Sequence, residues 1–289
     1  MVADSVLRTI TDDGSFRVVA ARSDATARDA IAAQGVTGVT AALFGQLVAG
    51  VILLRETLSP AHRVQLDVDD RRGRGRLVCD AWPGGDTRGR VMSPDDGSPI
   101  EVGGGSRLRV SRPLSGGRLH EGIVAVPEGG GICEGLMAYM QESEQVFSVI
   151  AAATFGEEGE RRAGGYVVQL LPEYDRAALS LMVARLGAMP PMAQLLGEDA
   201  TPEGLTARLF LDMASTELEA STTRFACACS RDRVELALSS FARGEIEQAL
   251  ADGRPLEARC EFCRTSYRLE RDDLTRLLGA SVPPPSTSR

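Results

Sequence analysis

Four of the six cysteines in this chain lie in two close pairs near its C-terminus. The first pair is Cys227-Ala-Cys229, the second is Cys260-Glu-Phe-Cys263, and 30 residues separate them. Two short loops that carry two thiolates each supply the four tetrahedral ligands of a structural zinc ion, while the intervening chain folds between them. The spacing therefore predicts one zinc ion held by Cys227, Cys229, Cys260 and Cys263.

The same residues argue against a hydrolytic zinc site. A catalytic zinc ion keeps one coordination position open and usually has histidine or carboxylate among its ligands. Four sulfurs would close the shell, and the two histidines, His62 and His120, are far from the cysteine pairs in the sequence. The predicted site is structural.

The first cysteine pair has a second chemical property. Only one residue separates Cys227 from Cys229, so their Cα atoms lie about 5.5 to 7 Å apart, at the edge of the range that a disulfide spans. Zinc holds its sulfurs as thiolates, and the thiolate is the form that oxidants attack. The pattern is compatible with a permanently bound structural zinc ion and with a zinc site that oxidation opens.

The sequence around the cysteines resembles the C-terminal zinc domain of the bacterial chaperone family called heat shock protein 33. The resemblance rests on residues 225–234, a helical stretch ending at 251–253, residues 256–263 and Tyr267. Upstream, Tyr139-Met-Gln-Glu-Ser-Glu-Gln145 and residues 163–172 look like two internal signatures of that family, and residues 88–91 look like a weaker third. The resemblance covers nearly the whole chain.

This resemblance implies a function that the cysteine spacing leaves open. It implies an inactive, zinc-bound reduced state and an oxidised state that holds unfolding proteins without ATP. It also implies disulfides within each pair, Cys227 with Cys229 and Cys260 with Cys263, together with loss of the metal. The implied partners are unfolded client proteins, a second copy of the chain when oxidised, and an ATP-dependent chaperone that receives clients.

Three positions depart from the family pattern. Gln46 stands where the family usually has arginine, His120 where it usually has tyrosine, and residues 146–148 replace a run that commonly contains proline. All three lie in the first domain, whereas the four cysteine positions are intact.

Composition excludes several other functions. The net charge of −8 and the pI near 5.0 argue against a nucleic-acid partner, because phosphate binding requires a basic surface. All 32 basic residues are arginine. Nucleotide hydrolysis by a Walker A lysine, kinase chemistry and Schiff-base chemistry are therefore ruled out.

The N-terminal half contains one apolar stretch without charged residues, 30–54, which is long enough to be considered as a membrane span. Glycine, glutamine and threonine dilute it, so we interpret it as a buried helix or helix pair without a membrane partner. Residues 1–14 contain several charges and no apolar core, which is not typical of a signal peptide. These features predict a cytoplasmic protein.

The pattern of residues 1–172 predicts an α+β domain, built from an antiparallel β-sheet with packed helices. The family resemblance implies that this domain is the chaperone core and binds clients. Period-two alternation between glycine-rich breaks predicts strands at 64–68, 76–79, 108–110 and 122–126, and composition predicts a buried strand at 165–171. Trp82 lies in a predicted turn. Residues 134–153 have helical spacing with a break near Ser143, which allows two helices.

Residues 173–226 are predicted to be a metastable helical linker. They contain two short helical patterns, a Pro-Pro break, and eight acidic residues against four arginines. Four apolar residues of the first pattern follow the spacing of an amphipathic helix. They could simply pack against the first domain, but the family resemblance and the adaptable methionine side chains favour a role in client binding in one of two states. The four residues are Leu179, Met182, Val183 and Leu186.

The rest of the chain is predicted to be a small zinc-binding domain with four cysteine ligands, 227–280, and a disordered tail, 281–289. Two alternatives remain for the zinc domain. A nucleic-acid-binding or regulatory zinc module is disfavoured because residues 227–280 carry nine arginines against ten acids. A thiol-disulfide oxidoreductase using Cys260 and Cys263 is disfavoured because this pair lacks the strand-then-helix context that is typical of such a motif.

Overall fold

The computed structural model describes residues 3–58, 62–114, 118–241 and 243–279. The chain divides into two compact units, Met1–Ala226 and Cys227–Arg289. Strands and helices are mixed in both units, and the sheets are almost entirely antiparallel, which confirms the predicted α+β fold. The predicted disordered tail, 281–289, lies outside the described residues.

The first unit contains two β-sheets. Its strands are β1 (Ser5–Thr11), β2 (Phe16–Arg22), β3 (Val64–Asp69), β4 (Arg76–Ala81), β5 (Asp86–Met92), β6 (Arg107–Pro113), β7 (Leu119–Ala125), β8 (Ser148–Phe155), β9 (Arg162–Leu170), β10 (Ser215–Thr222) and β11 (Arg224–Phe225). One sheet has the strand order β10-β1-β2-β9-β8, and the other has the order β11-β5-β4-β3-β6-β7. The short β11 is parallel to β5.

Helices fill the space against these sheets. They are α1 (Asp24–Gln34), α2 (Gly38–Leu58), α3 (Ile132–Glu142), α4 (Arg176–Ala188), α5 (Met192–Gly197) and α6 (Pro202–Leu209). Helix α2 packs against strands of both sheets, and the largest hydrophobic cluster forms around it. It is long and apolar enough to cross a membrane, but 72% of its most apolar window is buried inside the protein. The predicted buried helix pair is confirmed.

The strand predictions agree with the structure at five places. The predicted strands from 64 to 126 correspond to β3, β4, β6 and β7, and the predicted buried strand near 165 corresponds to β9. Trp82 lies in the turn between β4 and β5, where its backbone N–H donates to the Asp86 carbonyl at 2.8 Å. Strands β1, β2 and β5 were not predicted.

The prediction for residues 134–153 is wrong in its second half. The first half is helix α3, but residues from Ser148 onward form strand β8, which pairs along its length with β9. Ile150 and Ala152 alternate toward the core on this strand, whereas helical spacing had grouped Val146 with Ile150. Pairing with β9, a contact between distant parts of the chain, overrides the local helical pattern.

Residues 173–226 lie within the first compact unit. The two predicted helical patterns correspond to α4 and α6, with the short α5 between them. These helices cover one face of the five-stranded sheet through Met182, Leu195 and Leu205, which join a hydrophobic cluster with Phe16 and Val18. The segment then ends in β10, an edge strand that was not predicted and that pairs with β1.

The last residues of the first unit connect its two sheets. We call residues 222–226 the β11 clasp. Within it, the Thr223 hydroxyl and the Arg224 N–H donate to the Gly85 carbonyl at 3.0 and 3.1 Å. The Ala226 N–H donates to the Thr87 carbonyl at 2.9 Å. The chain between β10 and the first cysteine is thus hydrogen-bonded to the turn that precedes β5.

The β11 clasp also depends on tight packing. Phe225 packs against the main hydrophobic cluster, and Arg224 forms an ion pair with Asp86 at 2.7 Å. Gly85 has φ +88°, and a Cβ atom placed there would lie 2.0 Å from the Thr222 carbonyl oxygen. Only glycine allows the two backbones to approach this closely.

A glycine in the middle of the five-stranded sheet gives a test of this architecture. A Cβ at Gly165 on β9 would lie 2.1 Å from the Ala151 carbonyl oxygen on β8. We expect Gly165→Ala to lower the free energy of unfolding by about 1–3 kcal/mol, the usual cost of overpacking. Chemical denaturation followed by circular dichroism measures this change.

The matched control is Gly187→Ala on α4, where an added Cβ meets nothing within 4 Å. Alanine is the better helix former, so we expect this variant to be stabilised by about 0.5–1 kcal/mol. Equal stability of the two variants would contradict the β8–β9 pairing described above.

Candidate metal centre

The second unit brings the two cysteine pairs together from different local structures. Its elements are α7 (Arg231–Phe241), α8 (Arg243–Ala251), β12 (Leu256–Arg259), β13 (Ser266–Leu269) and α9 (Arg271–Gly279). Cys227 and Cys229 lie in the extended segment just before α7, and Cys260 and Cys263 lie in the turn between β12 and β13. That turn is closed by hydrogen bonds from Cys260 N–H to the Thr265 carbonyl and from Arg264 N–H to the Cys260 carbonyl, each 2.9 Å.

All four sulfur atoms lie within 4.8 Å of one another. The Cys227 and Cys260 sulfurs are 3.7 Å apart, and those of Cys229 and Cys263 are 3.2 Å apart. Zn–S bonds of about 2.3 Å in tetrahedral geometry place neighbouring sulfurs about 3.8 Å apart. The distances fit a single tetrahedral metal ion, and an all-sulfur ligand set fits zinc. We call these four side chains the cysteine cluster.

The cysteine cluster has a polar environment that distinguishes its members. The Tyr267 hydroxyl donates to the Cys229 sulfur at 3.1 Å, and the Thr265 hydroxyl lies 3.2 Å from the Cys263 sulfur. Burial and then the neighbouring thiols raise the pKa of Cys229 to about 12. Burial also opposes ionisation of Cys263, but hydrogen bonds from Thr265 and from the neighbouring thiols outweigh it and lower its pKa to about 6. Of these two cysteines, Cys263 is therefore the one that ionises more readily.

The second unit has a small hydrophobic core. Among its described side chains, the fully buried apolar residues are Ile246, Ala249, Leu269 and Leu274. Units of this size rarely gain enough stability from a core alone and commonly depend on a metal or on disulfides.

An arginine holds the first cysteine pair close to the rest of the second unit. Arg231, two residues after Cys229, forms ion pairs with Glu235 at 3.0 Å and with Asp273 at 2.5 Å. It also donates to the Arg268 carbonyl at 3.1 Å. Helix α7 is thereby attached to β13 and α9 at the end that carries Cys229.

The four residues predicted to bind clients lie on α4 in the first unit, with different exposures. Met182 is buried at 1% exposure, Leu179 and Leu186 are half-buried against the same cluster, and Val183 is 61% exposed. Together they line one side of an apolar groove of about 250 Å³, whose other side includes Phe147. In this structure three of the four are at least partly covered.

Two groups at the cysteine cluster were not singled out in the sequence. Thr265 follows Cys263 by two residues. A hydroxyl at that distance after a C-x-x-C pair is only a weak indication that it contacts a cysteine sulfur. Arg233, whose guanidinium donates to the Ala228 carbonyl at 2.8 Å inside the first cysteine pair, gave no signal because arginine is common in this chain.

Comparison with known proteins agrees with this geometry. A family model described as Hsp33 protein matches residues 4–270. The 33 kDa chaperonin of Geobacter sulfurreducens is 30% identical over 289 residues, which cover 96% of this chain and 95% of the relative. That of Latilactobacillus sakei is 27% identical over 288 residues and 98% of its length.

A solved structure shows the same fold. The crystal structure of the 33 kDa chaperonin (heat shock protein 33 homolog) of Thermotoga maritima superposes with a TM-score of 0.85 at 22% identity, covering 96% of this chain and 98% of that one. The family model spans most of the chain, and a relative of nearly equal length shares 30% of its residues. The chain therefore belongs to the Hsp33 family of chaperones.

Proposed function

We propose that this protein is a redox-regulated holdase, which binds unfolding proteins without ATP and without catalysing a reaction. In the reduced state the cysteine cluster holds one zinc ion and the protein is inactive. Oxidation converts the cluster to two disulfides and makes the protein active. Membership of the Hsp33 family supports the chaperone activity, and the observation that carries the regulation is the convergence of four thiols within 4.8 Å.

The zinc ion supplies a structural cross-link when it is bound, since four thiolates leave no position open for a substrate. Cys227 and Cys229 hold it from the segment before α7, and Cys260 and Cys263 hold it from the β12–β13 turn. A metal of this kind contributes directly to folding. The small core of the second unit supports this role, because few buried apolar side chains would otherwise maintain the fold.

The oxidative step joins Cys227 to Cys229 and Cys260 to Cys263. Each disulfide forms from two thiols and one molecule of a peroxide-class oxidant, which is reduced to two molecules of water when the oxidant is hydrogen peroxide. Sulfurs paired in disulfides are no longer thiolate ligands, so the cluster loses its affinity for zinc. Membership of the Hsp33 family supports this pairing, and all four sulfurs lie within 4.8 Å of one another.

Unfolding of the second unit affects the first unit through the covalent connection between them. Ala226 in the β11 clasp is covalently bonded to Cys227, so unfolding at the first cysteine pair frees the end of the clasp. Residues 173–226 then lose an anchor, and the population shifts toward a state in which α4 leaves the sheet. Leu179, Met182 and Leu186 would then become available to clients, together with the apolar surface they now cover.

The remaining partners follow from the same proposal. Clients are unfolded or partly unfolded proteins, the oxidised protein is a homodimer, and clients pass afterwards to an ATP-dependent chaperone. A thiol cluster that must be reduced at rest is suited to the cytoplasm, where thiols are kept reduced. Nucleic acid and membranes are not partners.

An aggregation assay tests the proposal. We expect the peroxide-treated, zinc-free protein to suppress aggregation of a thermally unfolding client protein, and the reduced, zinc-loaded protein to leave aggregation unchanged. Disulfide mapping by mass spectrometry on the same samples should find Cys227 joined to Cys229 and Cys260 joined to Cys263. Activity of the oxidised protein should return to baseline after reduction in the presence of zinc.

Cys133→Ser is the control for loss of a thiol outside the cluster. Cys133 is buried beside the Ala152 backbone, and burial raises the pKa of its thiol, so it should not react with the oxidant. This variant should be activated like the parent. Equal holdase activity in both redox states, or dominant disulfides to Cys79 or Cys133, would contradict the proposal.

A further inference from the structure

A pocket of about 440 Å³ lies at one end of the five-stranded sheet, in the first unit. Residues of β2 and β9, of the end of α3 and of the loops that follow α3 and β9 line it. They include Arg17, Met140, Gln145, Phe147, Gln169 and Tyr174. Part of its wall is the signature Tyr139–Gln145, which the proposed function does not use.

Among the residues that the structure describes, the hydrogen-bond partners of the half-buried Arg17 guanidinium are all neutral. Its Nε and Nη2 atoms donate to the Gln169 side-chain oxygen, the former at 2.9 Å, and Nη2 donates to the Thr57 carbonyl at 2.8 Å. Within the described parts of the chain, no carboxylate forms an ion pair with Arg17. Burial, and then the charge of Arg8, lower the pKa of Arg17. The positive charge is therefore poorly compensated.

Other buried arginines of the same unit are compensated. Arg8 forms an ion pair with Glu56, and Arg22 forms one with Asp24 at 2.7 Å. A guanidinium removed from water normally requires a carboxylate of this kind. Arg17 differs because it faces a cavity, which leaves space for an anion from solution.

The one carboxylate that lines the pocket, that of Glu144, is engaged elsewhere. Arg112 Nη2 donates to both of its oxygens at 3.0 Å, and the Tyr139 hydroxyl donates to one of them at 2.5 Å. The next residue, Gln145, has φ 58°, a left-handed conformation that is unfavourable outside glycine and that recurs at binding sites. Glu144 is thus neutralised by its own partners, and Gln145 is held at the wall of the pocket.

We propose that this pocket binds a carboxylate attached to an apolar group, with the carboxylate on Arg17 and the apolar group against Met140, Phe147 and Leu170. A guanidinium N–H forms a strong, charge-assisted hydrogen bond to a carboxylate oxygen. Nε and Nη2 of Arg17 already donate to Gln169 and Thr57, so Nη1 is the atom that would donate to the ligand. A pocket of this volume accepts a small organic ligand. The same chemistry occurs in a free fatty acid and in the apolar C-terminal residue of a peptide. The site does not involve the cysteine cluster, and Phe147 and Leu170 also line the groove beside α4.

Calorimetric titration of the full-length, reduced, zinc-loaded protein tests the site. The probes are octanoate, octanol, the tripeptide Gly-Leu-Phe with a free carboxylate, and the same tripeptide as its C-terminal amide. We expect at least one carboxylate probe to bind about 10-fold or more tightly than its neutral counterpart, as loss of one charge-assisted contact predicts. If octanoate binds and the tripeptide does not, the natural ligand is a free acid. If the tripeptide binds and octanoate does not, the natural ligand is the C-terminus of a peptide chain.

Two variants locate the binding. Arg17→Gln should weaken the carboxylate probe about 10-fold or more and leave the neutral probe unchanged. Arg72→Gln, which removes the same charge from an exposed turn where Arg72 pairs with Glu101, should change neither. Should Arg17→Gln fail to fold, Phe147→Ala is informative, since Phe147 is 64% exposed and its loss should weaken the bound probe.

The proposal is overturned if neither carboxylate binds, or if each neutral probe binds as tightly as its carboxylate. It is also overturned if a folded Arg17→Gln variant binds the carboxylate as the parent does, or if Phe147→Ala leaves binding unchanged. None of these outcomes measures oxidation-dependent holdase activity. The proposed carboxylate site can therefore be wrong while the proposed holdase function is right, and the reverse also holds.

Discussion

Replacement of Cys260 and Cys263 by serine is expected to abolish zinc binding and to unfold the second unit in reducing conditions. The variant keeps two of the four sulfurs that lie within 4.8 Å of one another, and serine hydroxyls are poor zinc ligands. Closure of a structural zinc site supplies about 10–16 kcal/mol of apparent binding free energy. The small core around Ile246 and Leu274 cannot replace a contribution of that size.

Metal analysis and limited proteolysis measure this effect. We expect about one zinc ion per chain in the reduced parent and none in the variant. One structural zinc ion needs all four thiolates, and the variant keeps only two. Protease should cut the variant rapidly beyond Cys227 and, because unfolding of the second unit releases the β11 clasp, also between residues 173 and 226. The hydrophobic cluster around α2 in the first unit should survive. Cys133→Ser is the control and should retain full zinc content. Unchanged zinc in the double variant would exclude the cysteine cluster as the metal site.

Gly85→Ala is expected to release residues 173–226 without any oxidant. The added Cβ would lie 2.0 Å from the Thr222 carbonyl oxygen, so the β11 clasp must move away from the turn before β5. Displacement breaks the hydrogen bonds that Gly85 accepts from Thr223 and Arg224. Overpacking of this kind costs about 1–3 kcal/mol, which corresponds to about a 5- to 150-fold rise in the population of the open state.

Gly84→Ala is the matched control for backbone strain. Gly84 and Gly85 both have left-handed φ values, +82° and +88°, but a Cβ at Gly84 meets nothing within 4 Å. Both variants therefore carry the cost of a non-glycine residue in that conformation, and only Gly85→Ala carries the clash. The difference between them isolates the contact with Thr222.

Proteolysis of the reduced, zinc-loaded variants provides the measurement. We expect cleavage between residues 173 and 226 to be about 10-fold faster in Gly85→Ala than in Gly84→Ala, near the rate of the peroxide-treated parent. Reduced Gly85→Ala should also suppress client aggregation. Equal cleavage of the two variants would mean that the clasp does not hold this segment in place.

Several features could be predicted because they depend on local pattern or on residue chemistry. The cysteine cluster follows from two close pairs, since few structures other than a metal site bring four thiols together. Helix α2 follows from an uncharged apolar run, and β3, β4, β6 and β7 follow from short alternating runs between glycine-rich breaks. In each case the information lies within a few neighbouring residues.

Strand β10 shows what local pattern does not contain. Nearly all its side chains are exposed, so no hydrophobic alternation marks it, and it exists because Ser215–Thr222 pairs with β1, about 200 residues away in the chain. Strand β8 was mistaken for helix for a related reason, since only pairing with β9 distinguishes it. Backbone hydrogen bonds between distant segments carry little sequence signal.

The same reason applies to the β11 clasp and to the Arg17 pocket. Gly85 in a turn and Arg17 on a strand are ordinary residues in the linear sequence. Their roles arise because folding places Gly85 against Thr222 and leaves Arg17 beside a cavity with the neutral partners Gln169 and Thr57. The candidate metal ligands are specified by residue type and spacing. Close backbone contacts, and a half-buried arginine without a carboxylate partner among the described residues, depend on which distant segments meet.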